Sequence, residues 1–206
     1  MSKPVLLIVT ASTRPGRVGG AVGDWFTEQA RADGRFEVNH VDLADVHLPF
    51  INEAAHPRLQ QYEHASTWDW SETVDPADAV VFVSPEYDYT LPATLLNAIQ
   101  MLSLEWGYKP LALVTYGGIS GGLRSAQTIR TVASNVGMYI VMPAVAVPFV
   151  AQHLDEGTFV PRESMNHNAT EIFTELERVA DALAGLRQER RAQEKKRPAD
   201  LAAHEG

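Results

Sequence analysis

The chain has no cysteine among its 206 residues, which excludes disulfides, cysteine nucleophiles and thiolate metal sites together. It is also short of positive charge: 17 Lys and Arg stand against 26 Asp and Glu, a formal charge of −9. That balance disfavours nucleic acid or an anionic membrane as partner, because neutralising phosphates needs a basic face. Long hydrophobic runs are missing as well. The longest apolar stretch, Met138 to Val150, contains Pro143 and Pro148 and falls short of the roughly 18 residues of a membrane span. Met1-Ser2-Lys3-Pro4 leads straight into an apolar strand without a cleavage-like tail, which predicts the cytoplasm. Seven histidines show neither His-x-x-x-His nor a carboxylate-supported spacing, so no metal is expected. Two nucleotide signatures are absent too. Gly-Lys-Ser/Thr at P-loop spacing does not occur, and the first loop lacks Gly-x-Gly-x-x-Gly.

What is present reads as one ordinary globular unit, 45% hydrophobic and 21% charged. We expect a single domain over residues 1–186 and a charged tail over 187–206, the tail a solvated helix extension or disorder. From Arg187 onward six Lys/Arg meet four Asp/Glu, leaving −11 on the preceding residues. Against that acidic background Arg14 and Arg17 stand out.

Val5 to Val9, Ala79 to Val83 and Leu111 to Val114 are continuously apolar and partly β-branched, the pattern of strands buried on both faces. Phe36, Val38 and Val41 mark a second strand, and Met138 to Val147 a fifth. Amphipathic stretches follow the loops: one from Val18 to about Gly34, a modest helix over Glu63 to Glu72, one carrying Leu95, Leu96, Ile99 and Leu102, one from Leu123 to about Asn135, and a last over Ala169 to Leu186. The excursion from Leu43 to about Tyr62 exceeds an ordinary connection. Alternating strand and helix makes a parallel sheet whose ligand site lies beyond the carboxyl ends of the strands.

Three loops converge there. Ala11-Ser12-Thr13-Arg14-Pro15-Gly16-Arg17 enters a helix, offering free N–H groups, the positive end of the helix dipole, two hydroxyls and a guanidinium fork. Ser84-Pro85-Glu86-Tyr87-Asp88-Tyr89 joins a rigid turn to aromatics able to stack on a flat ligand. Tyr116-Gly117-Gly118-Ile119-Ser120-Gly121-Gly122, glycine at four of seven positions, permits close backbone approach.

In this order these residues resemble the NADPH-dependent FMN reductase family of flavodoxin-like proteins, which includes quinone, azo-dye and chromate reductases. The likeness runs over residues 4 to 150 and includes Pro92, Leu95-Leu96-Asn97-Ala98, Glu105-Trp106, Lys109-Pro110 and Gly121-Gly122-Leu123-Arg124. It implies an α/β three-layer sandwich, flavodoxin-like, with five parallel strands in the order 2-1-3-4-5. It implies FMN as cofactor and NADPH or NADH as donor. Ser12, Thr13, Arg14, Arg17 and Gly19 would hold the phosphate; Pro85, Glu86, Tyr87 and Asp88, with Tyr116, Gly117, Gly118 and Gly121, would hold the ring. Backbone donors of the Glu86 to Asp88 turn would meet the ring's polar edge. Hydride would pass to the flavin and two electrons onward to a quinone, free flavin or similar small acceptor, with no catalytic side chain. The resemblance further implies a homodimer or homotetramer, with Trp106 and the Leu95 to Leu102 helix at the contact. Two departures are visible. Asp88 stands where many members carry Asn, and Arg17 and Gly19 where many carry Ser and Asn.

Two other readings compete. Gly118-Ile119-Ser120-Gly121-Gly122 satisfies the Gly-x-Ser-x-Gly elbow of α/β-hydrolases, with His153, His167 and Asp155 downstream. That triad wants its acid on a separate strand end, whereas Asp155 precedes His167 by a short stretch. A flavodoxin-type electron carrier suits the acidic charge, although the Pro-Glu-Tyr segment and the Arg pair are closer to the reductases.

Overall fold

The computed structural model describes residues 3–192. Five parallel strands form one sheet: β1 (Val5–Thr10), β2 (Glu37–Asp42), β3 (Ala79–Pro85), β4 (Pro110–Tyr116) and β5 (Tyr139–Val147), in the spatial order β2-β1-β3-β4-β5. The three continuously apolar runs are the three central strands, and their alternate residues feed two separate cores. Leu6 and Ile8, Val81 and Val83, and Val114 and Tyr116 face one layer. Leu7 and Val9, Val80 and Phe82, and Leu111 and Leu113 face the other. Each such aliphatic side chain, fully withdrawn from water, contributes about 1.5–3 kcal/mol before chain entropy is counted. Pro143 fits in β5 because that strand lies at the edge, where the register against β4 shifts between Leu111 and Leu113.

Helices α1 (Gly19–Asp33) and α6 (Glu163–Ala192) cover the first face through Phe26, Ile172 and Phe173. The second face carries α3 (Ala65–Val74), α4 (Ala93–Gln100) and α5 (Leu123–Asn135). The long excursion begins with the single turn α2 (Leu43–Val46), capped by the Asp42 carboxylate, and is pinned by two side chains from beneath. Asn97 accepts from Ile51 N–H and donates to the Pro49 carbonyl. The Glu105 carboxylate, wholly buried, accepts from Gln60, Tyr62, Ser71 and the Ser103 N–H. A small antiparallel pair not anticipated from the sequence, β6 (Leu154–Asp155) with β7 (Thr158–Phe159), sets Phe159 against the Trp25 ring at 5.1 Å.

Two expectations are corrected. Trp106 is fully buried, donates to the Ile99 carbonyl and packs edge-on to Trp70 and Phe82, so it belongs to the core and not to a subunit contact. The last helix does continue past Leu186 as an extension, but that extension is not solvated. It runs to Ala192, and the residues read as a solvated or disordered extension are docked: Arg187 reaches Asp78 and the Tyr108 carbonyl, Arg190 pairs with Asp75, and Arg191 donates to the Asp75 and Ala77 carbonyls. Lys109, completely buried, donates to the carbonyls of Val74 and Asp75 in the same cluster. Burial holds its pKa well below the usual lysine value. The remainder of the charged tail, 193–206, lies outside the described residues.

Candidate functional site

Where the chain leaves β1, Pro15 and Gly16 form a turn closed by Arg17 N–H to the Arg14 carbonyl. The N–H groups of Ser12, Thr13, Arg14, Gly16 and Val18 donate to no group among the described residues. Helix α1 follows with Val18 as a cap that has no side-chain oxygen and with no acid in its first turn. The result is a ring of free donors at the positive end of a four-turn helix.

Beyond β3, Tyr87 and Thr90 exchange both backbone hydrogen bonds, with Asp88 and Tyr89 between them at φ 46° and 69°. Both central residues are thus left-handed, as in the tightest hairpin turns, although neither is glycine. Holding Tyr89 there costs on the order of 1–3 kcal/mol. Its ring, 72% exposed, lies under the Arg124 guanidinium at 4.1 Å. Glu86 fixes that guanidinium, and it also accepts from Arg124 N–H and from the Ser120 hydroxyl at 2.8 Å. Burial works against the Glu86 charge, but the bonds from Arg124 and Ser120 outweigh it and hold the carboxyl below its ordinary pKa of 4.5. Glu86 therefore ties the second loop to the third.

The third loop is shaped by space. A Cβ on Gly122, whose φ is +87°, would stand 2.6 Å from the Thr115 Cβ, and one on Gly121 would stand 3.0 Å from the Pro148 nitrogen. Ser120, the elbow serine of the hydrolase reading, is bonded to a carboxylate and not to an imidazole. His153 is turned to the Val160 carbonyl instead. That geometry is a loop brace: the carboxylate is itself held by Arg124, and no imidazole among the described residues bonds the hydroxyl.

Between the loops lies a cleft of about 220 Å³ lined by Arg14, Gly16, Arg17, Val18, Pro85, Glu86, Tyr87, Tyr116, Gly117 and Val150. Of the expected site residues, Arg14, Arg17, Pro85, Glu86, Tyr87, Tyr116 and Gly117 meet there. Ser12 lies buried behind it, its hydroxyl 2.6 Å from that of Tyr87, and Gly19 packs beneath the Tyr116 hydroxyl. Thr13 lines a separate cavity of about 300 Å³ with Leu43, Leu48 and Phe50. Asp88 is at the exposed turn tip, and Gly118 and Gly121 shape the loop without lining the cleft. The Glu86 to Asp88 turn offers fewer donors than its sequence suggests. Glu86 N–H is bound to the Tyr116 carbonyl and Tyr87 N–H to Thr90, leaving that of Asp88. Arg17 is also committed: it pairs with Asp42, a partner that sequence spacing does not reveal. A larger concavity, about 1040 Å³, lies at the amino ends of β4 and β5 beside Tyr108 and Tyr139, the wrong end of a parallel sheet for its ligand.

The cleft suits a flavin mononucleotide. The loop offers free N–H groups of the kind a terminal phosphate needs, Arg14 lies over the Tyr87 ring at 5.5 Å, and the Tyr116 hydroxyl is buried without a well-formed hydrogen bond among the described residues. Burial, with the neighbouring Tyr87 hydroxyl, drives the Tyr116 pKa far above the ordinary tyrosine value, so this group stays a donor.

Comparison with known proteins agrees. Residues 4–152 match the model of the family described as NADPH-dependent FMN reductase. An NAD(P)H-dependent FMN reductase of Schizosaccharomyces pombe is 34% identical over 149 residues, covering 70% of this chain and 74% of that protein. One of Saccharomyces cerevisiae is 33% identical over 143 residues, covering 66% and 73%. Among solved structures, the flavoenzyme NAD(P)H:(acceptor) oxidoreductase FerB of Paracoccus denitrificans shares the fold at a TM-score of 0.59 and 19% identity, covering 91% of this chain and 98% of that one. With its strand order, its three loops and this match in hand, the chain belongs to the NADPH-dependent FMN reductase family.

Proposed function

We propose that this protein is an FMN-dependent NAD(P)H oxidoreductase whose cofactor sits in the 220 Å³ cleft and whose acceptors are quinones, free flavin or similar small planar molecules. The observation that carries the placement is the ring of unpartnered loop N–H groups at the start of α1, opening beside the Tyr87 ring. FMN held there would supply two-electron redox chemistry between NAD(P)H and the acceptor.

The chain's own residues hold and orient. The N–H groups of Ser12, Thr13, Arg14, Gly16 and Val18 and the positive end of α1 would take the phosphate, and Arg14 adds charge at the rim. Pro85 and Tyr87 form one wall of the ring site, while Gly117 lets the backbone approach it. Glu86, through Ser120 and Arg124, keeps the second and third loops at a fixed separation. Asp88 carries its charge on the exposed turn, where it opposes the added negative charge of reduction. No side chain is required to move a proton.

A homodimer or homotetramer is part of the proposal, as is a cytoplasmic setting. Among the described residues no helix is long and apolar enough to cross a membrane. With Trp106 buried, the support for a contact near the site moves to the loops at the carboxyl ends of the strands, where Phe50, Ile119 and Leu123 are exposed. The test of function is steady oxidation of NAD(P)H by the purified protein with a quinone as sole acceptor. Sustained turnover is expected; slow single-electron exchange without pyridine-nucleotide oxidation would point to a carrier.

A further inference from the structure

We infer that the Tyr116 hydroxyl reads the terminal phosphate of the flavin and sets the preference of this chain for FMN over riboflavin, an inference that rests on the cofactor site proposed above. Tyr116 closes β4 on the side that faces α1, and its residue is 3% exposed. Its hydroxyl is buried and faces the Ser12 hydroxyl, which is already bonded to that of Tyr87, so it makes no well-formed hydrogen bond of its own among the described residues, a state proteins avoid unless something else supplies the partner.

Its direction is fixed by a neighbour. A Cβ on Gly19 would stand 2.3 Å from the Tyr116 oxygen and 3.2 Å from the Ser12 Cβ, so the absent side chain at Gly19 is the space into which the hydroxyl points. That space is the first turn of α1, where the cap supplies no oxygen and the N–H groups are free. An acceptor carrying negative charge satisfies both halves at once.

The other groups near the cleft are already engaged. Ser12 and Tyr87 share one hydrogen bond. Arg17 is neutralised by Asp42, whose second oxygen is held by Ala44 N–H at the start of α2. Arg14 lies at the rim over Tyr87. Among the side chains of the cleft, the Tyr116 phenol and the Arg17 Nε are the buried donors without a partner among the described residues, and burial keeps the phenol protonated throughout the neutral range.

The experiment compares FMN and riboflavin binding to apoprotein by quenching of flavin fluorescence, for wild type and Tyr116→Phe. The substitution removes the hydroxyl and keeps the packing of the ring. We expect the FMN dissociation constant to rise roughly ten- to hundredfold, the range of one hydrogen bond to a charged group, with the riboflavin constant changed less than about twofold. Inorganic phosphate should compete with FMN less effectively in the variant. Thermal unfolding of the apoprotein should be unchanged or later, since an unsatisfied buried hydroxyl is gone. An equal rise for both flavins would assign Tyr116 to packing and overturn the inference, as would an unchanged FMN constant. Wild type that binds neither flavin would instead overturn the cofactor site itself.

Discussion

At the scale of single residues, the site is built by competition for partners. Arg14 and Arg17 look equivalent in the sequence, yet Arg17 is spent on Asp42 while Arg14 remains at the rim. Arg14→Ala should therefore weaken FMN binding, by about 1 kcal/mol because the contact is solvent-exposed, and this is read as a roughly fivefold rise in the dissociation constant. Equal affinity in the variant would remove Arg14 from the phosphate site. Glu86 makes a prediction in pH. Its folded pKa is depressed, so its brace is fully present above the ordinary carboxylate range and is lost as pH falls through the lowered folded value. The stability gap between apo wild type and Glu86→Gln should be constant at neutral pH and close below about pH 4.5. A gap that persists to the acid limit would mean the carboxylate's charge is not what joins the loops. Arg17 with Asp42, Ser12 with Tyr87 and Glu86 with Ser120 lie 25, 75 and 34 positions apart. The residue types in the three loops were legible from the chain; which of them cancel one another was not, because each pairing forms only when separate strand ends meet.

Secondary structure was the more readable level. Unbroken β-branched runs can serve only as strands covered on both faces, and those runs became β1, β3 and β4. The misreading of the last helix has a specific cause. Arg187, Arg190 and Arg191 follow a helix whose apolar face has ended, and a charged stretch is ordinarily a solvated one. Here it meets Asp75 and Asp78 in the turn before β3, more than a hundred positions away, and the pairs extend helix packing beyond the last apolar residue. Trp106 was misplaced for a similar reason, since nothing local shows that Trp70 and Phe82 enclose it. Asp75→Ala should remove the carboxylate that Arg190 and Arg191 share, leaving Arg191 with Asp78, and cost about 2–3 kcal/mol, below the figure for a fully buried pair because the cluster is partly exposed. Urea unfolding should show an earlier midpoint, with FMN affinity unchanged because the cluster lies at the opposite ends of the strands from the cleft. A loss of flavin affinity together with stability would contradict that separation.

At the scale of the whole molecule, a parallel sheet brings three loops to one cleft and leaves the chemistry to what they hold. The exposed face of a ring bound in this cleft would admit one planar partner at a time, so NAD(P)H and the acceptor should take turns. Initial rates with a quinone should give parallel double-reciprocal lines; intersecting lines would require two sites occupied together. The preference for a mononucleotide is the claim on which the rest depends, since the loop before α1 offers one phosphate site and no dinucleotide fingerprint. Its most direct measurement is the identity of the flavin released by heat from apoprotein reconstituted with an equimolar mixture of FMN and FAD. The released flavin should chromatograph as FMN, whereas recovery of FAD, or of no flavin from a folded protein, would contradict the account.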